Sequence, residues 1–282
     1  MSENSKPNVY AYHDFVKFLN DWFAYLKKTR SDFTLRNFAA KSKIALGYMN
    51  MILKRERNLT EKAFYKIVSS LFLNDDEQKF LNLLRIVGQS TDSNARLNAV
   101  NEMMKLKKFK LNNRKENRTY EYLTKWYYVA IYEMFNIDDF QMDPKWIQSK
   151  LKRKISLSDV EQALEFLKTN EFVKLNSNGN WAQAVTHLDC TEGIFKISLA
   201  EFHKQMLEIA HESIHTVKGE DRFIMGQTMA ICKTDFEKIK KIIQASIASI
   251  NDVNSNSGFK DEVYHIEIAA FPLSKLNKEG AK

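Results

Sequence analysis

The sequence predicts a mainly α-helical chain with an α+β C-terminal part. Only 8 Gly and 3 Pro interrupt its 282 residues, so long stretches lack the residues that end helices. Over most of the chain, apolar side chains recur at the three- and four-residue spacing of amphipathic helices. Runs typical of β-strands begin only after residue 170. A composition of 44% hydrophobic and 28% charged residues indicates a folded chain with room for two or three domains.

Residues 1–90 are predicted to form a helical domain. An amphipathic helix over residues 10–29 is followed by two short helical segments, "FTLRNFAAKSK" and "ALGYMNMILKRE". Thr60 is a good N-cap for the next helix, and Gly88 ends the one after it. Small or apolar residues stand where the two short helices would pack, which predicts a helix-turn-helix domain. Residues 91–118 are predicted to be a basic connector, partly helical and partly loop.

Residues 119–187 are predicted to form a winged-helix-like unit. An aromatic helix begins near Tyr120, Pro144 suits the first turn of a second helix, and "SLSDVEQALEFLKTN" is a capped third helix. Two β-type runs flank "NSNGN", which is typical of a hairpin. The third helix carries three acidic residues against Lys168, so we expect packing or dimerisation from this unit, and no second DNA contact.

Residues 188–282 are predicted to form a small α+β domain that senses or assembles. A long helix, "SLAEFHKQMLEIAHESIHTV", precedes the β-type run "DRFIMGQTMAIC". The helix "TDFEKIKKIIQASIASI", a polar loop and the β-type run "EVYHIEIAAFPL" follow. The order helix, strand, helix, strand predicts an α+β fold.

The net charge of +8 is concentrated in the first 118 residues. Residues 1–90 hold 15 Lys/Arg against 9 Asp/Glu, and residues 104–118 hold 7 against 1. Residues 119–282 hold 20 against 23 and are mildly acidic. This asymmetry favours an anionic partner for the N-terminal part, most often nucleic acid. The basic run to Arg118 has two interpretations: a solvated connector, or an arm that follows the DNA backbone.

The predicted helix-turn-helix domain resembles part of a known family. "FTLRNFAAKSKIALGYMNMILKRERNLTEKAFYKIVSSLFLNDDEQKFLNLL" is similar to the N-terminal part of a paralogous family of predicted bacterial transcriptional regulators. The resemblance continues through "WYYVAIYEMFNIDDFQMDPKWIQSKL", "ALEFLKTNEFVKLNSNGNWAQ", "EFHKQMLEIAHESI", "DRFIMGQTMAI" and "VYHIEIAAFPLSK", from about Tyr10 to Lys275. It implies a regulator that joins a phage-repressor-like helix-turn-helix to an uncharacterised C-terminal region.

The second helix of the helix-turn-helix would present its exposed face to a DNA groove. The residues expected on that face are Ala45, Leu46, Tyr48, Asn50, Met51 and Lys54. Cations placed to meet phosphates are Lys41, Lys43, Lys54, Arg55 and Arg57. Asn50 has the donor and acceptor that pair with adenine, whereas Leu46 or Ala45 would contact a thymine methyl. Few base-reading groups are present, so we expect phosphate-dominated binding of double-stranded DNA with modest base specificity.

The apolar start of this helix leaves a second function open. A protein-interaction or signalling module with a degenerate helix-turn-helix would need no DNA-reading side chains, and this chain has few. Helix-turn-helix proteins commonly pair on two half-sites, so the regulator is expected to be a homodimer. The sequence indicates neither an operator nor an effector.

Residues His211, Glu212 and His215 match the HExxH pattern of zinc metalloproteases, which makes a metal-dependent hydrolase a distant third function. His215 falls on the polar side of the predicted helix and His211 at the margin of its apolar face. A catalytic zinc site needs a sheltered pocket, so we expect surface histidines, no metal site and no enzyme activity. Glu237 stands at a separation where some such enzymes keep a third ligand.

Several other classes are excluded. No GxSxG, P-loop or Gly-rich dinucleotide turn is present, and we expect no cofactor. The 2 cysteines form no CxxC motif or disulfide framework. The chain has neither a signal peptide nor an apolar run long enough to span a membrane, so we expect a cytoplasmic protein without a membrane partner.

Overall fold

The structure is a computed structural model that describes residues 5–184, 188 and 192–275. These residues form thirteen α-helices and one two-stranded antiparallel sheet, which confirms the prediction of a mainly helical chain with a small β component. The chain divides into two compact units. Residues 1–124 and 187–201 make up unit one, and residues 125–186 and 202–282 make up unit two.

Unit one begins with a 3-10 turn and continues with eight helices in the described residues. The turn is Val9–Ala11, and the helices are α1 Phe15–Thr29, α2 Leu35–Lys41, α3 Leu46–Leu53, α4 Glu61–Val68, α5 Asp75–Gln89, α6 Ser93–Lys105, α7 Lys107–Asn112 and α8 Arg114–Leu123. Helices α1, α2, α4 and α5 start where the side chains of Asp14, Thr34, Thr60 and Asn74 accept a backbone N–H of the first turn. Thr60 therefore acts as the N-cap that the sequence predicted.

Apolar side chains from most of these helices share one core. Trp22, Phe18, Phe64 and Phe80 are almost completely buried in it. Phe109 of α7 joins them, with its ring centroid 5.5 Å from that of Phe80. The basic run therefore lies on packed helices, α6 to α8, whose apolar side faces the core of unit one.

Unit two opens with three helices and a hairpin. The elements are α9 Trp126–Met134, α10 Pro144–Lys150, α11 Leu157–Thr169, β1 Val173–Leu175 and β2 Trp181–Gln183. The strands pair antiparallel, with Lys174 opposite Ala182. Gly179, with φ +77°, lies in the turn between them, where an L side chain would be strained. The hairpin predicted around "NSNGN" is thereby confirmed.

Two long helices follow. Helix α12, Glu192–Thr216, belongs to unit one up to Glu201 and to unit two from Phe202 onwards. Helix α13 spans Lys233–Ser255 and has no fully buried residue. None of the described helices is long and apolar enough to cross a lipid bilayer.

The two strands predicted beyond α12 are wrong. Residues 221–232 and 262–273, which are the two runs in question, adopt neither helix nor strand. Both runs have the composition of strands, but a strand exists only when a neighbouring backbone accepts its hydrogen bonds. In the described part of the chain, no backbone–backbone hydrogen bond involves residues 223–231 or 261–275.

Candidate nucleic-acid interface

Helices α2 and α3 pack through the residues that the sequence assigned to their contact. Phe38 and Ala39 of α2 are buried, as are Met49 and Ile52 of α3. Leu35, Ile44 and Leu53 are half-buried against the same core. Because this side of α3 is fully used for packing, its opposite side faces outwards and is available to a ligand.

The turn between α2 and α3 is a Schellman motif, in which the residue after the C-cap takes a left-handed conformation. Lys43 adopts this conformation, with φ +53°. Its N–H donates to the Ala40 carbonyl at 3.1 Å, and the Ile44 N–H donates to the Ala39 carbonyl at 2.9 Å. These bonds fix the direction in which α3 leaves α2.

Helix α3 ends in the same way, and there the left-handed residue is Arg55, with φ +62°. The Arg55 N–H donates to the Ile52 carbonyl, and the Glu56 N–H donates to the Met51 carbonyl at 2.8 Å. Two predicted phosphate contacts, Lys43 and Arg55, thus flank α3 in rare backbone conformations. The hydrogen bonds of the two turns thus hold the backbone at Lys43 and Arg55 in place.

The outer face of α3 is open over its length. Ala45, Asn50 and Lys54 are exposed, whereas Leu46 and Met51 are half-buried. The Asn50 side chain has no hydrogen-bond partner among the described residues, so both its donor and its acceptor are free. Ala45, as N-cap, offers no side-chain oxygen to the first turn, which leaves the amides there without a side-chain cap.

Gly47 on the same face is exposed, and a Cβ there would meet nothing within 4 Å. Glycine within a helix costs roughly 0.5–1 kcal/mol relative to alanine. No close contact within the described chain requires its small size. This makes the first turn of α3 a place where a ligand can approach the backbone closely.

Tyr48 has a structural role in addition to any contact with DNA. Its hydroxyl donates to the Asn58 carbonyl at 3.0 Å and accepts the Thr60 N–H at 3.2 Å. The guanidinium of Arg57 lies 5.6 Å from the centre of its ring. Tyr48 therefore ties the loop after α3 to the helix, and its hydroxyl is engaged within the protein.

Arg55 is also engaged within the protein. Its guanidinium pairs with the Asp14 carboxylate at 2.6 Å, and the other oxygen of Asp14 accepts the Lys17 N–H at 2.9 Å. Burial alone would raise the pKa of Asp14, but these hydrogen bonds and the positive charge of Arg55 outweigh it, and the pKa is lowered. The Asn20 side chain donates to the Leu53 carbonyl at 3.2 Å, which also links α1 to the end of α3.

The remaining predicted cations are exposed and form no ion pair within the described residues. These are Lys41, Lys43, Lys54 and Arg57. Residues 34–58 as a whole contain six Lys/Arg and a single acidic residue, Glu56. Around α3 the surface is therefore positive, which attracts a polyanion.

The basic run presents further cations on α7 and at the start of α8. Lys107, Lys110 and Arg114 are exposed, and the ammonium of Lys108 lies 5.3 Å from the centre of the Tyr10 ring. Lys105 instead pairs with Glu102 at 2.6 Å. The run thus contributes a charged surface of unit one, carried by helices that are held by Phe109.

The HExxH residues of α12 are not arranged as a metal site. His211 and His215 are exposed with ring centroids 6.5 Å apart, and Glu212 pairs with Arg153 at 3.3 Å. Glu237, the distant ligand candidate, pairs with Lys240 at 2.7 Å. Within the described residues, no group of three His, Cys, Asp or Glu side chains has the geometry to hold a metal ion.

A different histidine pair was not expected from the sequence. His203 of α12 and His265 lie 3.0 Å from the two oxygens of the Glu267 carboxylate. Glu267 stands 64 residues after His203, and neither position belongs to a recognisable motif. Only the fold brings them together, and they anchor residues 265–267 on α12.

Comparison with known proteins places the chain in a family without a known activity. The family model described as "Domain of unknown function (DUF4423)" matches residues 102–273. This region includes all of unit two's helices, whereas α2 and α3 lie outside it. No curated protein and no solved structure matches the chain. Because the match covers more than half of its residues, the chain belongs to the DUF4423 family.

Proposed function

We propose that the chain is a DNA-binding transcriptional regulator that acts as a homodimer, and that α2 and α3 form its helix-turn-helix. The observation that carries the proposal is the open face of α3, which packs against the core from behind. It lies beside Lys41, Lys43, Lys54 and Arg57, none of which forms an ion pair with another described residue. Resemblance to predicted bacterial regulators supports the same function. At about 1.5 Å per residue, the eight residues of α3 extend about 12 Å, a length that fits within a major groove.

The proposed interface divides its contacts by chemistry. Lys41, Lys43, Lys54 and Arg57 would meet phosphates, which supply most of the affinity. Asn50 has the bidentate geometry that reads adenine, and Ala45 would lie against a thymine methyl. Few groups remain for the bases, because the Tyr48 hydroxyl is bonded within the protein. The expected binding is therefore strongly salt-dependent and modestly specific.

Under this proposal, the three helices and hairpin of unit two form a winged-helix-like unit that does not enter DNA. The exposed side of α11 carries Glu161 and Glu165, and Asp159 is used in a capping box with Ser156. Acidic side chains in a groove would be repelled by phosphates. We assign this unit to packing or assembly.

A test of the interface compares two lysines of equal charge. Fluorescence anisotropy of a labelled mixed-sequence duplex would be followed from low to high salt for wild type, Lys54→Ala and Lys241→Ala. Lys241 is exposed on α13 and serves as the matched control. The proposal predicts that Lys54→Ala makes the negative slope of log affinity against log salt shallower by about 0.9 and that Lys241→Ala leaves it unchanged. Equal slopes for all three proteins would contradict the interface.

A second candidate, a protein-interaction module with a degenerate helix-turn-helix, is favoured by one observation. Two of the predicted contacts, Tyr48 and Arg55, are engaged within the protein, and half-buried Leu46 and Met51 give the outer face an apolar component. Such a module would bind DNA weakly and without dependence on Asn50. The anisotropy experiment separates the two functions, because only the regulator loses affinity when the α3 cations are removed.

A further inference from the structure

The C-terminal part of unit two exposes an unusual amount of apolar surface. Thirteen large apolar side chains between residues 217 and 275 are 43% to 84% exposed. They are Phe223, Ile224, Met225, Met229, Ile231, Ile242, Val253, Phe259, Tyr264, Ile266, Ile268, Phe271 and Leu273. Large apolar patches on a protein surface mark interaction sites, because exposing them to water is unfavourable.

The exposed area is that of a protein interface. A fully exposed aromatic side chain presents roughly 150–250 Å², and large aliphatic ones somewhat less, so the thirteen side chains together expose on the order of 1,500 Å². A stable protein–protein complex buries about 800 Å² on each partner. A partner that covered half to two-thirds of this exposed apolar area would bury as much surface as a stable complex does.

Two segments of the same region make no backbone–backbone hydrogen bonds within the described part of the chain. Residues 223–231 and 261–275 have the sequence of strands, yet none of their backbone groups is hydrogen-bonded to another described backbone group. Unpaired strand sequences are templates for pairing with another chain. A partner that fits these segments would offer both an apolar surface and backbone hydrogen bonds.

The second of these segments is anchored on one side and open on the other. Glu267 contacts His203 of α12, and the His265 ring lies 5.7 Å from that of Phe202. The alternate residues Tyr264, Ile266 and Ile268 are exposed. Val263 and Glu267, at positions that alternate with these, are half-buried, so the segment has the period of two of a strand with one face more buried than the other.

We propose that a second copy of this chain covers this surface, pairing its own residues 222–232 and 261–273 with those of the first. The inference gives the interface of the homodimer in the proposed function and rests on that function. The composition favours a permanent self-association: residues 223–231 carry no charge, and Glu267, the only charged residue of 263–273, is occupied by two histidines. Obligate homodimer interfaces are more apolar than transient ones, and in a two-fold dimer each copy offers the same patch to the other.

The test is the mass of the 282-residue chain in solution, measured in the absence of DNA so that the result does not depend on DNA binding. Light scattering coupled to size exclusion should give twice the 33.0 kDa chain mass for wild type. Ile266→Asp should weaken self-association at least about 30-fold and give a monomer, since a carboxylate buried in an apolar interface without a partner is strongly unfavourable. Gln244→Glu, which adds the same charge at an exposed position of α13, should remain dimeric.

Met225→Asp, in the other segment, provides a second variant in case Ile266→Asp fails to fold, which circular dichroism would reveal. A wild-type protein that is monomeric at micromolar concentration would overturn the proposal. This holds also if the monomer binds another protein or lipid vesicles. Folded Ile266→Asp and Met225→Asp variants that both remain dimeric would also overturn it. A dimer that binds no DNA would instead refute the proposed function and leave the interface standing.

Discussion

Replacing Asp14 by Asn removes the partner of Arg55 while leaving α1 capped, because Asn and Asp are equally good N-caps. The side chains of Asp14 and Arg55 are 38% and 58% exposed, so solvent screens their ion pair. Such a pair contributes at most about 1 kcal/mol. We therefore expect Asp14→Asn to lower the free energy of unfolding by less than about 1 kcal/mol at neutral pH.

The pH dependence of this loss has a defined sign. Because the pKa of Asp14 is lowered in the folded chain, its stabilising contribution is present above the pKa of the unfolded state. The contribution is lost as the pH falls through the lowered pKa of the folded state. Urea unfolding of wild type and variant should thus differ most near neutral pH and converge in acid. A difference that grows below pH 4 would contradict the assigned pKa shift.

The same substitution should strengthen DNA binding if Arg55 lies at the interface. Freeing one guanidinium for a phosphate makes the negative slope of log affinity against log salt steeper by about 0.9. The loss of affinity between 50 and 200 mM salt is then roughly threefold larger. Anisotropy titrations of Asp14→Asn against wild type measure this slope, and the double variant Asp14→Asn, Arg55→Gln should lose the gain. An unchanged or shallower slope for Asp14→Asn would refute the sequence-based prediction that Arg55 meets a phosphate.

Three further substitutions test the local geometry. Gly47→Ala should raise the free energy of unfolding by roughly 0.5–1 kcal/mol, measured in urea, because the Cβ meets open space and alanine favours helix. The same variant should bind DNA more weakly if the backbone of α3 lies close to the DNA at this position. Tyr48→Phe should cost about 0.5–1.5 kcal/mol in the same assay, since Asn58 and Thr60 lose a hydrogen-bond partner, and no loss would mean that water replaces the hydroxyl. Gly179→Ala should lower the midpoint of thermal unfolding of unit two, with a cost of about 1–2 kcal/mol for the left-handed backbone, and an unchanged midpoint would contradict the turn geometry.

Local patterns predicted the parts of the fold that depend on local chemistry. The packing of α2 on α3 follows from the spacing of Phe38, Met49 and Ile52, and the hairpin turn follows from the Asn and Gly residues around Gly179. Helix caps such as Thr60 are predicted in the same way, because the side-chain oxygen that accepts and the backbone N–H that donates are three residues apart.

Features that depend on distant residues could not be predicted. The Arg55–Asp14 pair joins positions 41 residues apart, and His203 meets Glu267 across 64 residues. Composition predicts strands at 221–232 and 262–273, but strand pairing depends on a partner backbone that composition does not specify. The spacing along α3 predicts that Tyr48 faces bases. It does not predict the conformation of the following loop, whose Asn58 carbonyl binds the Tyr48 hydroxyl.

Enrichment of genomic DNA fragments by purified wild-type protein and by Asn50→Ala tests most directly whether α3 reads DNA. Asn50 is exposed on α3 and its side chain makes no hydrogen bond within the described residues, so its loss should leave the fold intact. We expect wild type to enrich a defined set of fragments, and Asn50→Ala to retain salt-dependent binding but lose the enrichment. Binding that is absent, or an enrichment that is identical for both proteins, would contradict the assignment of α3 as the helix that reads DNA.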